Sequence, residues 1–217
     1  MTFYFGDILR ELPLLLEALW ISIYITAVSF LLGSIIGVLL STAKMGGSRS
    51  LRLFSGGYIE LIRNTPLLVQ LYLLYFGLGQ LGFQVSPIAA ALIGMTLNNA
   101  AYTAEIFRAG FESVPVGLRE AGSALAMSKR QVFCHVVFKP GLRGIIPSLT
   151  NQLIILFLYS SVASVISLEE LTAVIMNINN QTLRTLEVFT IGAVLYWITS
   201  AIISEVSRRS ERLLFRW

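Results

Sequence analysis

Five long apolar stretches constrain the fold of this chain more than any other feature. They lie at about residues 12–40, 58–81, 87–109, 144–166 and 188–206. Each is long enough to cross a bilayer as a helix, which takes about 20 residues. Only 13% of the 217 residues are charged, whereas soluble domains average about 25%. We therefore expect residues 1–217 to form a single all-α membrane domain with about five transmembrane helices.

The basic residues indicate how these spans are oriented. Twelve of the sixteen lie between the first and second stretches, between the third and fourth, or after the fifth. Arg63, early in the second stretch, and Arg108, at the end of the third, adjoin the same side, and only Arg10 and Arg184 lie on the other. Because Lys and Arg concentrate on the cytoplasmic side of a membrane, we expect the N-terminus outside and the C-terminus in the cytoplasm. The net charge of +4 therefore reflects topology, and no nucleic-acid partner is predicted.

The cytoplasmic segment at residues 112–143 is too polar to span the membrane but is well patterned. Leu118, Ala121 and Leu125 share one face of a short helix, with Pro115 in its first turn and Ser113 as its cap.

A second short helix is predicted directly afterwards. Ser128 and Gln131 form a capping box at its start, and Pro140 with Gly141 is expected to end it. The two helices would form a compact knob, which we define as residues 112–143. On pattern alone, a structural hairpin and a docking element are equally compatible with this knob.

Uncharged polar residues in the predicted spans are the candidates for a solute path. Such groups are costly in hydrocarbon and usually face the bundle interior or an aqueous cavity. Hydrogen bonding between helices is the alternative for each of them. The candidates are Gln70, Thr96, Asn98, Asn99, Tyr102, Asn151, Gln152, Tyr159, Ser160 and Ser161.

Other patterns within the spans predict packing and local pairing. Gly33 and Gly37 are four residues apart in the first stretch, a spacing that lets two helix backbones approach closely. Two acid–base pairs, Glu60 with Arg63 and Glu105 with Arg108, are three residues apart and are expected to form local ion pairs.

No pattern points to an enzyme. The single cysteine and single histidine, Cys134 and His135, are adjacent, so on a helix their side chains diverge and form neither a catalytic pair nor a metal site. There is no phosphate-binding G-x-x-x-x-G-K-[ST] sequence. We expect no catalytic residue, no metal and no cofactor in this chain.

The motifs of this chain, in their order, resemble one family along residues 15–210. The segment 120–133 (EAGSALAMSKRQVF) resembles the EAA loop of permease subunits of bacterial ABC importers. The segments 63–71 (RNTPLLVQL), 101–110 (AYTAEIFRAG), 147–152 (PSLTNQ) and 161–166 (SVASVI) are similar to the polar amino-acid branch of these permeases.

The resemblance implies the fold of a type I ABC importer transmembrane domain, with the knob as its coupling helix. In such permeases this helix sits in a groove of a cytoplasmic ATPase subunit. Gly122 replaces the usual third alanine of the motif, and Ala126 replaces a glycine that adopts positive φ more easily. The coupling residues implied are Val114, Pro115, Gly117, Leu118, Glu120, Ala121, Gly122, Leu125 and Ala126.

The resemblance also implies partners and a location. A permease of this kind works in the bacterial inner membrane with a dimer of ATP-binding-cassette ATPase subunits, a second permease subunit and an extracytoplasmic solute-binding protein. ATP hydrolysis belongs to the ATPase subunits. The implied function is binding-protein-dependent import of polar amino acids or close derivatives.

One departure from the family affects the substrate. Family members commonly carry a Lys followed by Asp or Glu where this chain has Leu158 and Tyr159. Either a different second permease chain supplies these charges, which we favour, or the solute is not a simple amino acid and is, for example, opine-like. A secondary, ion-coupled transporter is the rival from another class, but it needs intramembrane charges to couple an ion, and none lies clearly in the middle of a predicted span.

Overall fold

The computed structural model describes residue 6 and residues 10–214, and this part of the chain is helical, without strands. It contains eight helices, which we number in chain order: α1 Leu12–Gly46, α2 Arg49–Arg63, α3 Leu67–Gln80, α4 Pro87–Glu112, α5 Val116–Ala124, α6 from Lys129 to Tyr159, α7 Leu171–Thr182 and α8 Thr185–Leu214. α3 contains the π-helical turn Leu73–Gly77, α6 contains the π-helical turn Val132–Val137, and a 3₁₀ segment, Ser160–Ile166, follows α6. The expected all-α class is confirmed.

Among the described residues, three helical segments are long and apolar enough to cross a membrane: Leu12–Gly46, Val132–Ile166 and Thr185–Leu213. α3 is apolar but shorter. α4 has the length of a span, at 26 residues, but half of its residues are buried against other helices. A helix covered by protein rather than by lipid need not be apolar all round, so the total of five spans stays a prediction.

α1 and α4 form the central helix pair through the predicted glycine spacing. A Cβ atom on Gly33 would lie 2.7 Å from Asn99 Nδ2, and one on Gly37 would lie 2.1 Å from Thr103 Oγ1. The Thr103 hydroxyl donates to the Gly33 carbonyl oxygen across the contact (3.2 Å). The two glycines therefore allow close backbone approach, as predicted.

The predicted second span, residues 58–81, is not one helix. α2 ends at Arg63 and α3 begins at Leu67, with Pro66 extended between them (φ −62°, ψ 140°). Proline disfavours the helical conformation of the residue before it, which breaks the helix here. Residues 58–63 belong instead to α2, and the single continuous span is a wrong prediction.

The predicted helix end at Pro140 and Gly141 is also wrong, because α6 continues through both residues to Tyr159. Pro140 lies three residues after the π-helical turn Val132–Val137. Because the helical hydrogen bonds are already irregular there, the N–H that proline lacks destabilises the helix less than it would in a regular segment. Gly141 allows α6 to pass close to α4, because a Cβ atom at this position would lie 2.7 Å from the Phe111 ring. The second knob helix and the fourth apolar stretch are therefore one rod.

α7 is a helix that the sequence patterns did not predict. Ser167, in the left-handed region (φ +62°), turns the chain after the 3₁₀ segment. Val174 and Ile178 of α7 then pack against Leu15 of α1 and Val188 of α8. This cluster forms the core of the bundle at the end remote from the knob.

Candidate functional site

The knob contains the capping box that the sequence predicted for its second helix, but not the predicted cap of its first. The Ser128 N–H donates to Gln131 Oε1 (2.8 Å), and the Gln131 N–H donates to Ser128 Oγ (3.3 Å), which completes the predicted capping box. The predicted Ser113 cap is wrong. Ser113 ends α4, its hydroxyl donates to the Gly110 carbonyl oxygen (2.8 Å), and Pro115 occupies the residue before α5. Ser113 stands two residues before Pro115, which holds the cap position of α5, and its hydroxyl therefore serves the end of α4.

The predicted apolar face of α5 points away from the protein. Leu118 is 44% exposed and Leu125 is 77% exposed, so this face contributes little to the knob core. The core consists of Val114, Gly122 and Val132 packed with Phe111 of α4. Of the nine predicted coupling residues, Val114 and Gly122 are buried, and the exposed ones are Pro115, Gly117, Leu118, Glu120, Ala121, Leu125 and Ala126. The knob thus presents an unpartnered apolar surface around Glu120.

The bend between α5 and α6 depends on Ala126, which adopts positive φ (+56°), as its replacement of a family glycine led us to expect. A left-handed conformation costs a residue with a Cβ about 1–2 kcal/mol. We predict that Ala126→Gly raises the free energy of unfolding by up to about 1 kcal/mol, seen as a higher thermal midpoint of the purified protein. Ala121→Gly, inside α5 and exposed, is the matched control and should lower the free energy of unfolding by a similar amount. A lower thermal midpoint for Ala126→Gly would contradict the proposal that Ala126 is strained at positive φ.

Several candidate path residues are buried and hydrogen-bonded between helices. Gln152 Nε2 donates to Asn99 Oδ1 (3.1 Å), and Asn99 Nδ2 donates to the Phe30 carbonyl oxygen (3.2 Å), so one amide chain joins α6, α4 and α1. The other buried candidates are Thr96, Asn98 and Ser160. For Asn99 and Gln152, helix-to-helix bonding accounts for the polar groups without a solute. Asn98 bonds to another helix only through its Nδ2, and its Oδ1 is buried without a hydrogen-bond partner among the described residues. The Ser160 hydroxyl donates to the Phe157 carbonyl oxygen one turn earlier (2.7 Å).

Gln70 joins α3 to both of its neighbours. Its Nε2 donates to the carbonyl oxygens of Ile62 (2.9 Å) and Thr65 (3.1 Å) at the end of α2, and its Oε1 accepts from Asn98 Nδ2 of α4 (3.1 Å). Helix ends leave carbonyl groups that need such donors. Gln70 therefore fixes the junction between α2 and α3.

Three candidate residues, Tyr102, Asn151 and Gln152, line one cleft of about 750 Å³ between α2, α4 and α6. Arg63 and Arg108 also line it. The remaining candidates lie outside this cleft: Gln70, Thr96, Asn98, Asn99, Tyr159, Ser160 and Ser161. Contact of any of these residues with a solute stays a prediction.

The charged groups near the cleft pair differently from the sequence expectation. Glu105 pairs with Arg108 (2.8 Å) as predicted, and also with Lys44 of α1 (2.6 Å). The expected Glu60–Arg63 pair is absent from the ion pairs of residues 10–214, because the Arg63 guanidinium instead lies 5.4 Å from the centre of the Tyr102 ring on α4. Sequence spacing alone could not place α4 beside α2.

Glu170 is a buried acid that the sequence reasoning missed. Its side chain is fully buried, with Oε2 accepting from Ser22 of α1 (3.2 Å) and Tyr196 of α8 (3.1 Å) and Oε1 accepting from the Ala173 N–H (3.0 Å). Glu170 lies between the predicted fourth and fifth stretches, at residues 144–166 and 188–206, so it does not bear on the expectation that no charge lies clearly mid-span. Glu170 is the residue directly before α7, and its side chain caps that helix. The sequence gives only a weak indication of this role, because Glu is not among the residues favoured at a helix cap.

Membrane-length apolar helices and a cleft lined by polar and charged side chains are the features expected of a protein that passes a polar solute through a membrane. The chain belongs to the family of binding-protein-dependent transport system inner membrane components, whose model matches residues 14–215. Its members are permease components of importers rather than enzymes. The resemblance drawn from the motifs is thus confirmed.

Individual relatives match along nearly the whole chain. The arginine transport system permease protein ArtQ of Bacillus subtilis is 32% identical, covering 99% of this chain and 98% of its own length. The nopaline transport system permease protein NocM of Agrobacterium fabrum is 31% identical, covering 94% and 89% respectively. A crystal structure of an amino acid ABC transporter with histidines superposes with a TM-score of 0.93 at 32% identity, covering 98% of this chain and 99% of that one.

Proposed function

We propose that this chain is the transmembrane permease subunit of an ATP-driven, binding-protein-dependent importer of polar amino acids or close derivatives. The observation that carries the proposal is the exposed apolar face of α5, with Leu118 and Leu125 on a knob outside the bundle. An apolar surface of this kind suits docking to a partner. In this family the fitting partner is an ATP-binding-cassette ATPase subunit.

The proposed topology follows the distribution of charge. Five spans are formed by α1, by α2 with α3, by α4, by α6 with its 3₁₀ extension, and by α8. The N-terminus lies outside, and the knob and C-terminus lie in the cytoplasm of a bacterial cell, because the basic residues concentrate there. Closure of an ATPase dimer would act on residues 114–126 and rock the helices between inward-open and outward-open states.

The proposed assembly contains a second permease subunit of different sequence and an extracytoplasmic binding protein. Leu158 and Tyr159 are both exposed on this chain, and neither carries a charge for a charged solute. A different partner chain would supply those charges. The nopaline permease among the relatives supports an opine-like solute as the second candidate.

Co-purification with the ATPase and ATP-driven uptake test the proposal. In proteoliposomes that contain the binding protein, we expect ATP-dependent uptake of an amino acid, and we expect Glu120→Lys to reduce it at least tenfold while the protein remains folded. Glu211 of α8, which is half-buried and lies outside the knob, provides the charge-matched control Glu211→Lys, which should leave uptake unchanged.

Two results would reject the importer. One is the absence of an ATPase subunit from the purified complex together with full uptake by Glu120→Lys. The other is uptake driven by an ion gradient without ATP, which would support the secondary transporter instead.

A further inference from the structure

Among the described charged side chains at the cleft, some are neutralised by ion pairs and one is not. Arg108 pairs with both Glu105 and Glu112, and Lys44 shares Glu105. Two cations and two carboxylates therefore form one neutral network along the side of the cleft. Because each charge in this network already has a partner, none of them is available to a charged ligand without breaking an ion pair.

Arg63 lies outside this network. Within residues 10–214, no carboxylate oxygen lies within 4.0 Å of its guanidinium, and its one recorded partner is the Tyr102 ring at 5.4 Å. The ring attracts the cation through its face but neutralises no charge. Arg63 therefore adds an uncompensated positive charge to a cleft that is otherwise neutral.

The backbone from which the Arg63 side chain extends is held in place by hydrogen bonds. Arg63 is the last residue of α2, and the helix end is held by Gln70 and Thr65, whose side chains both donate to the Ile62 carbonyl oxygen. Gln70 in turn bonds to Asn98 of α4, the helix that carries Tyr102. The same bonds thus hold both halves of the Arg63–Tyr102 pair in register.

The rest of the cleft offers hydrogen-bonding groups rather than further charge. Asn151 and Ser148 of α6 line it and are exposed. Asn151 offers an amide donor and an amide acceptor, so it can bond to either polar end of a small zwitterion. A volume of about 750 Å³ is in the range of small-molecule sites.

We infer that the Arg63–Tyr102 pair is a carboxylate-binding site, which receives the carboxylate of the solute in the cleft at the knob end of the permease. The planar guanidinium presents paired N–H donors that match the two oxygens of a carboxylate. The Tyr102 ring lies on one side of the guanidinium, with 5.4 Å between the guanidinium carbon and the ring centre, and takes up none of its N–H donors. This inference rests on the proposed import of amino acids and adds the group by which they are recognised.

Two kinds of ligand could supply an anionic oxygen to Arg63, namely the carboxylate of the solute and the phosphate of a lipid headgroup. We commit to the solute carboxylate, since Tyr102, Asn151 and Gln152 surround the site with groups that suit a small polar molecule. The experiment below distinguishes binding of the solute carboxylate from binding of a lipid phosphate.

The test measures equilibrium binding to the permease–ATPase complex in nanodiscs, without binding protein and without ATP. The probes are radiolabelled L-arginine and L-glutamine, and the competitors are the same amino acids with the carboxylate replaced by a carboxamide. We expect the carboxamides to compete at least tenfold more weakly than the parent amino acids. Arg63→Gln should weaken probe binding at least tenfold and abolish this difference, and Arg63→Lys should recover part of it.

Arg52→Gln is the matched control, because Arg52 is an exposed cation on the same helix and lies outside the cleft; it should bind the probes like the unmodified protein. Equal binding by Arg63→Gln, or equal competition by carboxamides, would overturn the inference. So would an Arg63→Gln effect that appears in nanodiscs of anionic lipid and disappears in phosphatidylcholine alone. Because ATP-driven uptake is measured separately, such a failure leaves the proposed importer standing, whereas loss of uptake by the unmodified complex rejects the importer itself.

Discussion

Replacement of Gly37 with leucine is expected to prevent α1 from packing against α4 and to abolish recovery of folded protein. Even a single Cβ at this position would lie 2.1 Å from Thr103 Oγ1 and 3.0 Å from the Ala104 backbone nitrogen. The backbone atom cannot move aside as a side chain could, so the two helices must separate. Overpacking of this kind costs about 3 kcal/mol or more, and separation would also break the amide chain through Asn99.

The measurement is the fraction of detergent-extracted protein that elutes as a single species, together with its thermal midpoint. Gly57→Leu is the control, because Gly57 is exposed on α2 and a Cβ there would meet nothing within 4 Å. It should behave as the unmodified protein. Normal recovery and an unchanged midpoint for Gly37→Leu would show that the α1–α4 contact is not tight.

Replacement of Glu170 with leucine is expected to be the most damaging change at the bundle end remote from the knob. Leucine has a similar volume but accepts no hydrogen bond, so the Ser22 and Tyr196 hydroxyls and the Ala173 N–H would lose a common buried acceptor. An unsatisfied buried donor costs about 1–3 kcal/mol, and each lost hydrogen bond costs about 0.5–1.5 kcal/mol. The Ala173 N–H would be left unsatisfied, whereas the two hydroxyls keep contacts with the Ala18 carbonyl oxygen and the Thr172 hydroxyl, respectively. We expect a loss of roughly 3 kcal/mol or more, which corresponds to a fall in thermal midpoint of about 6–12 °C for a chain of this size.

Two further variants make this prediction specific. Glu170→Gln keeps an acceptor oxygen for the Ala173 N–H and should recover most of the loss, because hydroxyl groups can reorient towards an amide. Glu169→Leu alters the exposed neighbour and should change the midpoint by less than about 1 °C. A Glu170→Leu protein as stable as the unmodified one would mean that α1, α7 and α8 do not depend on this residue.

Features governed by local chemistry were predictable from the sequence. α4 begins at Pro87 because proline suits a first helical turn and the Ser86 hydroxyl accepts from the Ala89 N–H. The Ser128–Gln131 capping box and the positive φ of Ala126 likewise follow from residues adjacent in the chain. Each of these signals acts within about four residues.

Features that depend on distant elements were not predictable in the same way. Arg63 has Glu60 at pairing distance along its helix, yet its guanidinium lies on Tyr102 because α2 crosses α4 there. Pro140 and Gly141 look like a helix end, yet Gly141 is needed where α6 passes Phe111. Glu170 is buried because three helices converge on it, and no pattern near residue 170 carries that information.

The continuity of α6 makes it a lever in the proposed importer. From Val132 in the knob to Tyr159, the helix spans 28 residues without a break, or about 42 Å at 1.5 Å per residue. A tilt of about 5° imposed at the knob would displace the far end by roughly 3–4 Å, on the basis of this length alone. Asn151, part-way along the same rod, would move by a proportionate amount. A helix that ended at Pro140 would absorb the motion in its loop, whereas the unbroken one delivers it to the side chains that face the cleft.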